Sequence, residues 1–136
     1  MATFQLELVS PEKLLLSRQV EMVILPAAEG EMGVLPGHAP MIITLRGGTI
    51  RVREGNQDTE RLFVAGGFAE VTPERVTVLA DEAVPVAELS RAAADGRVAE
   101  AERAYADAAR DAPERRDAAM ARLLAMRAMR EAAQLA

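Results

Sequence analysis

Residues 41–53 read MIITLRGGTIRVR. Positions 41 to 45 are an apolar run of strand length. Ile50 and Val52 then alternate with Thr49, Arg51 and Arg53, the period-two pattern of a half-buried strand. The Gly47-Gly48 pair between the two runs reads as a turn. The same grammar extends both ways. Upstream, Phe4, Leu6 and Leu8 alternate with Gln5 and Glu7, and Val20, Met22 and Ile24 follow. Downstream come residues 62–64, 68–71, and Val76 with Val78. Ser10-Pro11, Gly30, Gly33, Pro36-Gly37, Gly55-Asn56, Gly66-Gly67 and Pro73-Glu74 punctuate the series. Short strands at close spacing, with no helix-length segment among them, predict an antiparallel β-sandwich or barrel, the sandwich being taken here, and argue against a parallel α/β sheet.

The grammar changes near residue 86. Residues 1–86 hold eight of the nine Gly and six of the seven Pro, with 7 basic and 12 acidic residues. Residues 87–136 carry 9 basic and 9 acidic residues, and 19 of these 50 residues are Ala, the strongest helix former. The chain is therefore α+β by segments: a sandwich over 1–86, then an antiparallel two-helix hairpin over 87–136. The helices are expected at about 86–110 and 113–133, divided at Asp111-Ala112-Pro113, with Asp111 as N-cap and Pro113 in the first turn.

A helical wheel at about 100° per residue gives each helix a small-residue face. On the first, Val86, Ala87, Ala93, Ala94, Val98, Ala101, Ala104, Tyr105 and Ala108 share a side on which Arg97 is the only charge. On the second, Ala118, Ala121, Leu124, Ala125, Ala128, Ala132 and Leu135 share a side. Arg115, Arg116, Arg122, Arg127 and Arg130 form an outward basic stripe opposite it, mixed with Leu123 and Met126. A buried CH₂ is worth only about 0.8 kcal/mol, whereas fixing a backbone residue costs roughly 1–2 kcal/mol. An Ala-faced hairpin is thus expected to be marginal alone and able to occupy more than one position.

Composition excludes several chemistries. The chain has 136 residues, no Cys and one His, so disulfides, thiolate metal sites, Cys nucleophiles and two-His arrangements are out. A net charge of -5 and an aromatic content of 3% disfavour a nucleic-acid surface. The uncharged apolar stretches, residues 22–28 among them, are far short of the roughly 20 residues a membrane-spanning helix needs, and no charged n-region precedes an apolar run at the N-terminus. A soluble, intracellular protein is expected, without direct membrane insertion. The Gly-rich segment 30–38 fails as a phosphate loop, because His38 and Ala39 stand where Lys and Ser or Thr are needed. It reads instead as a hairpin connection. His38 has no nucleophile pattern beside it. Glu29 and Glu31 read as a solvated acidic tip or as an interface for a basic partner. The Arg stripe fits an acidic protein surface, a nucleic acid, or plain solvation. The residues alone give a binding or regulatory protein; a β-sandwich ligand-binding module with a dimerising hairpin is the alternative.

Three stretches add a resemblance. Residues 29–40, EGEMGVLPGHAP, are followed in order by 64–71, VAGGFAEV, and 76–81, VTVLAD. Together they resemble the epsilon-chain family of F-type ATP synthases over the whole chain, strongly over 1–86. The resemblance implies a ten-stranded sandwich with two helices behind it. It implies a non-catalytic rotor subunit that couples proton-driven rotation to ATP synthesis. The sandwich would clamp the gamma subunit and rest on the ring of c-subunits, at the cytoplasmic face of a bacterial inner membrane. Glu29, Glu31 and His38 would face the c-ring. The C-terminal helices would inhibit ATP hydrolysis in the alpha/beta catalytic head, with Arg115, Arg116, Arg122, Arg127 and Arg130 meeting an acidic segment of the beta subunit. Some members bind ATP through a motif of Ile or Leu, Asp, two residues, Arg, Ala. Arg91 and Ala92 match it, but Glu88 replaces Asp and Ala87 replaces the branched residue. The departure weighs against ATP, and no cofactor is expected.

Overall fold

The computed structural model describes residues 2–108, 110 and 112–135, with Leu135 in its backbone only. Eight strands come first: β1 (Phe4–Val9), β2 (Leu14–Val20), β3 (Met22–Ala27), β4 (Gly30–Val34), β5 (Met41–Glu54), β6 (Gln57–Val71), β7 (Arg75–Ala80) and β8 (Ala83–Pro85). A 3₁₀ turn (Val86–Glu88) leads to α1 (Arg91–Ala108) and α2 (Pro113–Leu135). The strand order is β2-β1-β7-β6-β5-β3-β4, with β8 also on β6. All pairings are antiparallel except β1 with β7, which is parallel.

One continuous sheet makes both layers because β5 and β6 are long enough to turn the corner together. Their outer parts join different neighbours. Residues 67–71 of β6 pair with β7, whereas residues 62–64 pair with β8. The two Gly pairs read as turns are in fact inside these strands, at adjacent levels of the ladder, with Leu45 opposite Gly67 and Gly47 opposite Ala65 in unbroken register. The reason is steric. Gly67 has φ +133, and a Cβ there would collide with the Leu79 carbonyl oxygen, so β7 can cross the bend only where β6 has no side chain. Counting β5 and β6 once in each layer reconciles the eight strands with the ten that the resemblance implies.

Other boundaries also move. Gly30–Val34, read as loop, is an edge strand. Val20 and Met22 belong to different strands on either side of a bend at Glu21. The first helix begins at Arg91 rather than near 86, because Ser90 caps it: its Oγ accepts from Ala93 N at 3.2 Å and its carbonyl from Ala94 N at 2.9 Å. The expected Asp111 cap lies outside the described residues. The Ala112 carbonyl accepts from the amides of Arg115 and Arg116, at 3.1 and 3.2 Å.

Two apolar clusters result. Phe4, Leu6, Leu8, Val23, Leu25, Val52, Val64 and Val76 belong to the core between the layers. Leu62-Phe63-Val64 is buried throughout because β6 has protein on both faces here. Leu62 and Val64 join the sandwich core, while Phe63 points out to the hairpin and joins Val86, Val98, Leu123, Met126 and Met129.

The second helix corrects the wheel. Ala118, Ala121 and Leu124, assigned to the packed face, are exposed, and Leu123 and Met126, assigned outward, are buried. Two sides of α2 are covered at once. One meets β5, where Ala125 lies against Gly47. The other meets α1, where Met129 lies beside Arg97. A wheel with a single apolar arc averages these directions. The seam also holds Leu and Met, so the hairpin is held more firmly than an Ala-only face would allow.

Candidate functional site

The residues singled out in the sequence do not form one site. Glu29 is exposed in the tight turn between β3 and β4. Glu31, on β4, is exposed but engaged: both carboxylate oxygens accept from Arg51 Nη2, at 3.3 and 3.4 Å. His38 lies beyond the far end of β4, about 13 Å of strand away from Gly30 at ~3.3 Å per residue. Its loop is tied down by Gly37 N, which donates to the Pro73 carbonyl at 2.8 Å. His38 Nδ1 lies 2.8 Å from the Ala39 carbonyl oxygen, a bond that uses the Nδ1–H tautomer. The structure therefore places Glu29 and His38 at opposite ends of β4.

The basic stripe is divided too. Arg115, Arg116 and Arg127 are exposed and Arg130 is half-buried. Arg127 and Arg130 line a cleft with Asp95 of α1. Arg122 turns to the sandwich, with Nη1 3.6 Å from Glu82 Oε1. The stripe is thus not one outward face, because its arc overlaps the side of α2 that packs inward.

The partial ATP motif has other duties. Glu88 sits exposed in the 3₁₀ turn and Ala92 is exposed in the first turn of α1. Arg91 Nη2 donates to the Gln134 carbonyl at 3.1 Å. Its cation thereby caps the negative end of the α2 dipole.

Asp58, near the start of β6, carries a perturbed carboxyl. Arg53 Nε donates to its Oδ1 at 2.9 Å and, with the nearby Arg51 charge, holds the group below the usual carboxylate range. Among the described residues no cluster of three or more His, Cys, Asp or Glu is arranged to hold a metal ion, and no helix is long and apolar enough to cross a membrane.

The prominent unassigned surface is apolar. Thr44 of β5 pairs with Phe68 of β6, Phe68 with Leu79 of β7, Leu79 with Val9 of β1, and Val9 with Leu14 of β2. This row crosses five strands on the outer face of one layer, the hairpin covering the other. Leu14, Phe68 and Leu79 are each 55% exposed, and Ile42, two residues along β5, is 72% exposed. Alternation along each single strand hid the row, because it exists only once the register is known.

The family model for the ATP synthase Delta/Epsilon chain β-sandwich domain matches residues 3–86. The chain belongs to the ATP synthase delta/epsilon family. An ATP synthase epsilon chain of Granulibacter bethesdensis is 62% identical over 98% of both chains. One from Paramagnetospirillum magneticum is 53% identical over 79% of this chain and 80% of that relative. Among solved structures, a chain of the Euglena gracilis mitochondrial ATP synthase OSCP/F1/c-ring assembly superposes with a TM-score of 0.76. It is 26% identical, over 97% of this chain and 82% of that one. The agreement over the helices as well as the sandwich makes this an epsilon-type chain along its length.

Proposed function

We propose that the chain works as a rotor-stalk subunit of an F-type ATP synthase, without catalytic groups of its own. Its sandwich docks on the gamma subunit and reaches the c-ring, and its hairpin faces the alpha/beta catalytic head. The complex is bound peripherally at the cytoplasmic face of a bacterial inner membrane. The observation that carries this reading is the apolar row Leu14-Val9-Leu79-Phe68 with Ile42. Scattered single apolar residues are ordinary on a surface, but a contiguous row across several strands marks a face that is covered in an assembly. Relatives named epsilon chain and a structural relative from an F1/c-ring assembly support the same partners.

For the c-ring contact, Glu29 is the best-placed of the three sequence candidates. It stands at a turn tip with no ion partner among the described residues, whereas Glu31 is spent on Arg51. The hairpin acts as an arm that inhibits ATP hydrolysis through Arg115, Arg116 and Arg127, joined by Arg122 once it leaves Glu82. No nucleotide is assigned to the arm, because Arg91 is occupied by the end of α2.

Replacing Phe68 by Glu and Leu79 by Lys together, an opposite-charge pair across β6 and β7, tests docking. Both are solvent-facing in the isolated chain, so it should fold and melt almost as before. The double variant should fail to co-purify with gamma and the catalytic head. Full recovery of the complex would refute the assignment.

A further inference from the structure

We propose that Glu82 is a latch that sets how much of the time the hairpin is docked on the sandwich. The proposal rests on reading the hairpin as a movable arm. Glu82 lies in the short turn between β7 and β8, and its backbone is fixed there by Ala65 N, which donates to the Glu82 carbonyl at 2.9 Å. Its carboxylate accepts from Arg97 Nη2 of α1 through both oxygens, at 2.7 and 3.0 Å. Arg122 of α2 stands 3.6 Å from Oε1. One carboxylate on the sandwich thus reaches both helices.

Its surroundings make this more than a surface pair. Arg97 is the only charge among the apolar positions of α1 and neighbours buried Ala94, Val98 and Ala101. Its Nη1 also lies 3.6 Å from Met129 Sδ, inside the helix seam. Only about a third of either side chain is exposed, 33% for Arg97 and 34% for Glu82. A pair this partly shielded is screened less than a fully exposed one, and removing Glu82 takes the carboxylate partner of Arg97 away in the docked state alone. The short charge-assisted contact from Arg97 Nη2 and the residual access to solvent together make docking favourable at low salt and sensitive to screening.

The latch also gives the arm an exclusive choice. Arg122 cannot hold Glu82 and an acidic surface of the catalytic head at once. A head contact through Arg122 therefore competes with docking, and the two states are coupled by one side chain.

The test uses the full chain, which has no native Cys. Ser17→Cys on the sandwich and Ala118→Cys on α2, both exposed positions, carry spin labels whose separation reports the hairpin position. Wild-type sequence at ~0.1 M salt should give one dominant distance. Glu82→Gln should raise the released fraction about tenfold (~1.4 kcal/mol). Raising salt to about 1 M, where the screening length falls from ~10 to ~3 Å, should release the wild type and leave Glu82→Gln unchanged. Arg97→Gln should release the hairpin in the wild-type background and release it no further in the Glu82→Gln background. Identical distances in wild type and Glu82→Gln at both salts, or full additional release by Arg97→Gln in the Glu82→Gln background, would overturn the latch. Release by Glu82→Gln without any change in hydrolysis of the assembled enzyme would uphold the latch and count against the inhibitory arm instead.

Discussion

Gly47→Ala should loosen the hairpin while sparing the sandwich. Gly47 has no positive φ, so β5 accepts Ala there without backbone strain. Space is the obstacle. An added Cβ would lie 2.6 Å from Ala125 Cα and 2.9 Å from Ala125 Cβ, and the first of these is helix backbone that cannot rotate away. Ordinary contact needs at least ~3.5 Å between carbons, so α2 must retreat by about 1 Å, a gap that forfeits a quarter to a half of each contact along that side. Overpacking of this kind costs about 1–3 kcal/mol, which corresponds to roughly 5–150-fold in an opening equilibrium. Against it stands a gain of about 0.4–1 kcal/mol from the stiffer unfolded chain, shared by the whole molecule. Amide hydrogen exchange reads both effects separately. Amides around Ala125 in α2 should exchange faster by that factor, while those of β1 and β7, away from the helices, should be unchanged or slower. Unchanged α2 exchange, or an equal acceleration in β1 and β7, would refute the view that this close approach seats the hairpin.

Two further outcomes follow from the same contacts. Asp58 is held below its unfolded value by Arg53 and Arg51, so its stabilising contribution is present above about pH 4 and is lost as pH falls through the folded value. Asp58→Asn should therefore lower the urea midpoint at neutral pH and flatten its decline in acid; parallel declines for both proteins would contradict this. Deleting residues 87–136 in the assembled enzyme should leave ATP synthesis coupled and raise ATP hydrolysis, whereas Arg116→Ala with Arg127→Ala should raise it partly; unchanged hydrolysis in both would remove the arm as an inhibitor.

The sandwich was legible because its signal is local. Strict alternation in residues 4–8 and 49–53 gave strands whose buried side is the apolar one, as Phe4, Leu6, Leu8, Ile50 and Val52 bear out. The corner was not legible. Gly47-Gly48 and Gly66-Gly67 carry the composition of turns, and only pairing across β5, β6 and β7 tells a bend inside a strand from a break between strands. The α1 face was read correctly at Ala94, Val98 and Ala101, whereas Ala87, Ala93 and Ala104, assigned to the same face, are exposed because the buried stripe is narrower than the arc drawn. α2 was misread because it packs on two sides. Of the interaction surfaces, Arg97 was flagged as an odd charge on an apolar face, but its partner Glu82 sits 15 positions earlier in a turn that periodicity does not reach. The apolar row likewise depends on register between strands distant in sequence. Glu29, Glu31 and His38 are close in sequence, and the edge strand between them carries them apart.

Rotation itself tests the rotor assignment most directly. Asn56 is exposed at the β5–β6 turn, on a chain without Cys, so Asn56→Cys offers a single attachment point for a bead on the assembled enzyme with its catalytic head fixed to a surface. On addition of ATP the bead should turn continuously in one direction, since the chain moves with the stalk. A bead that stays fixed while the same enzyme hydrolyses ATP and its gamma subunit turns would place the chain on the stator and contradict the assignment.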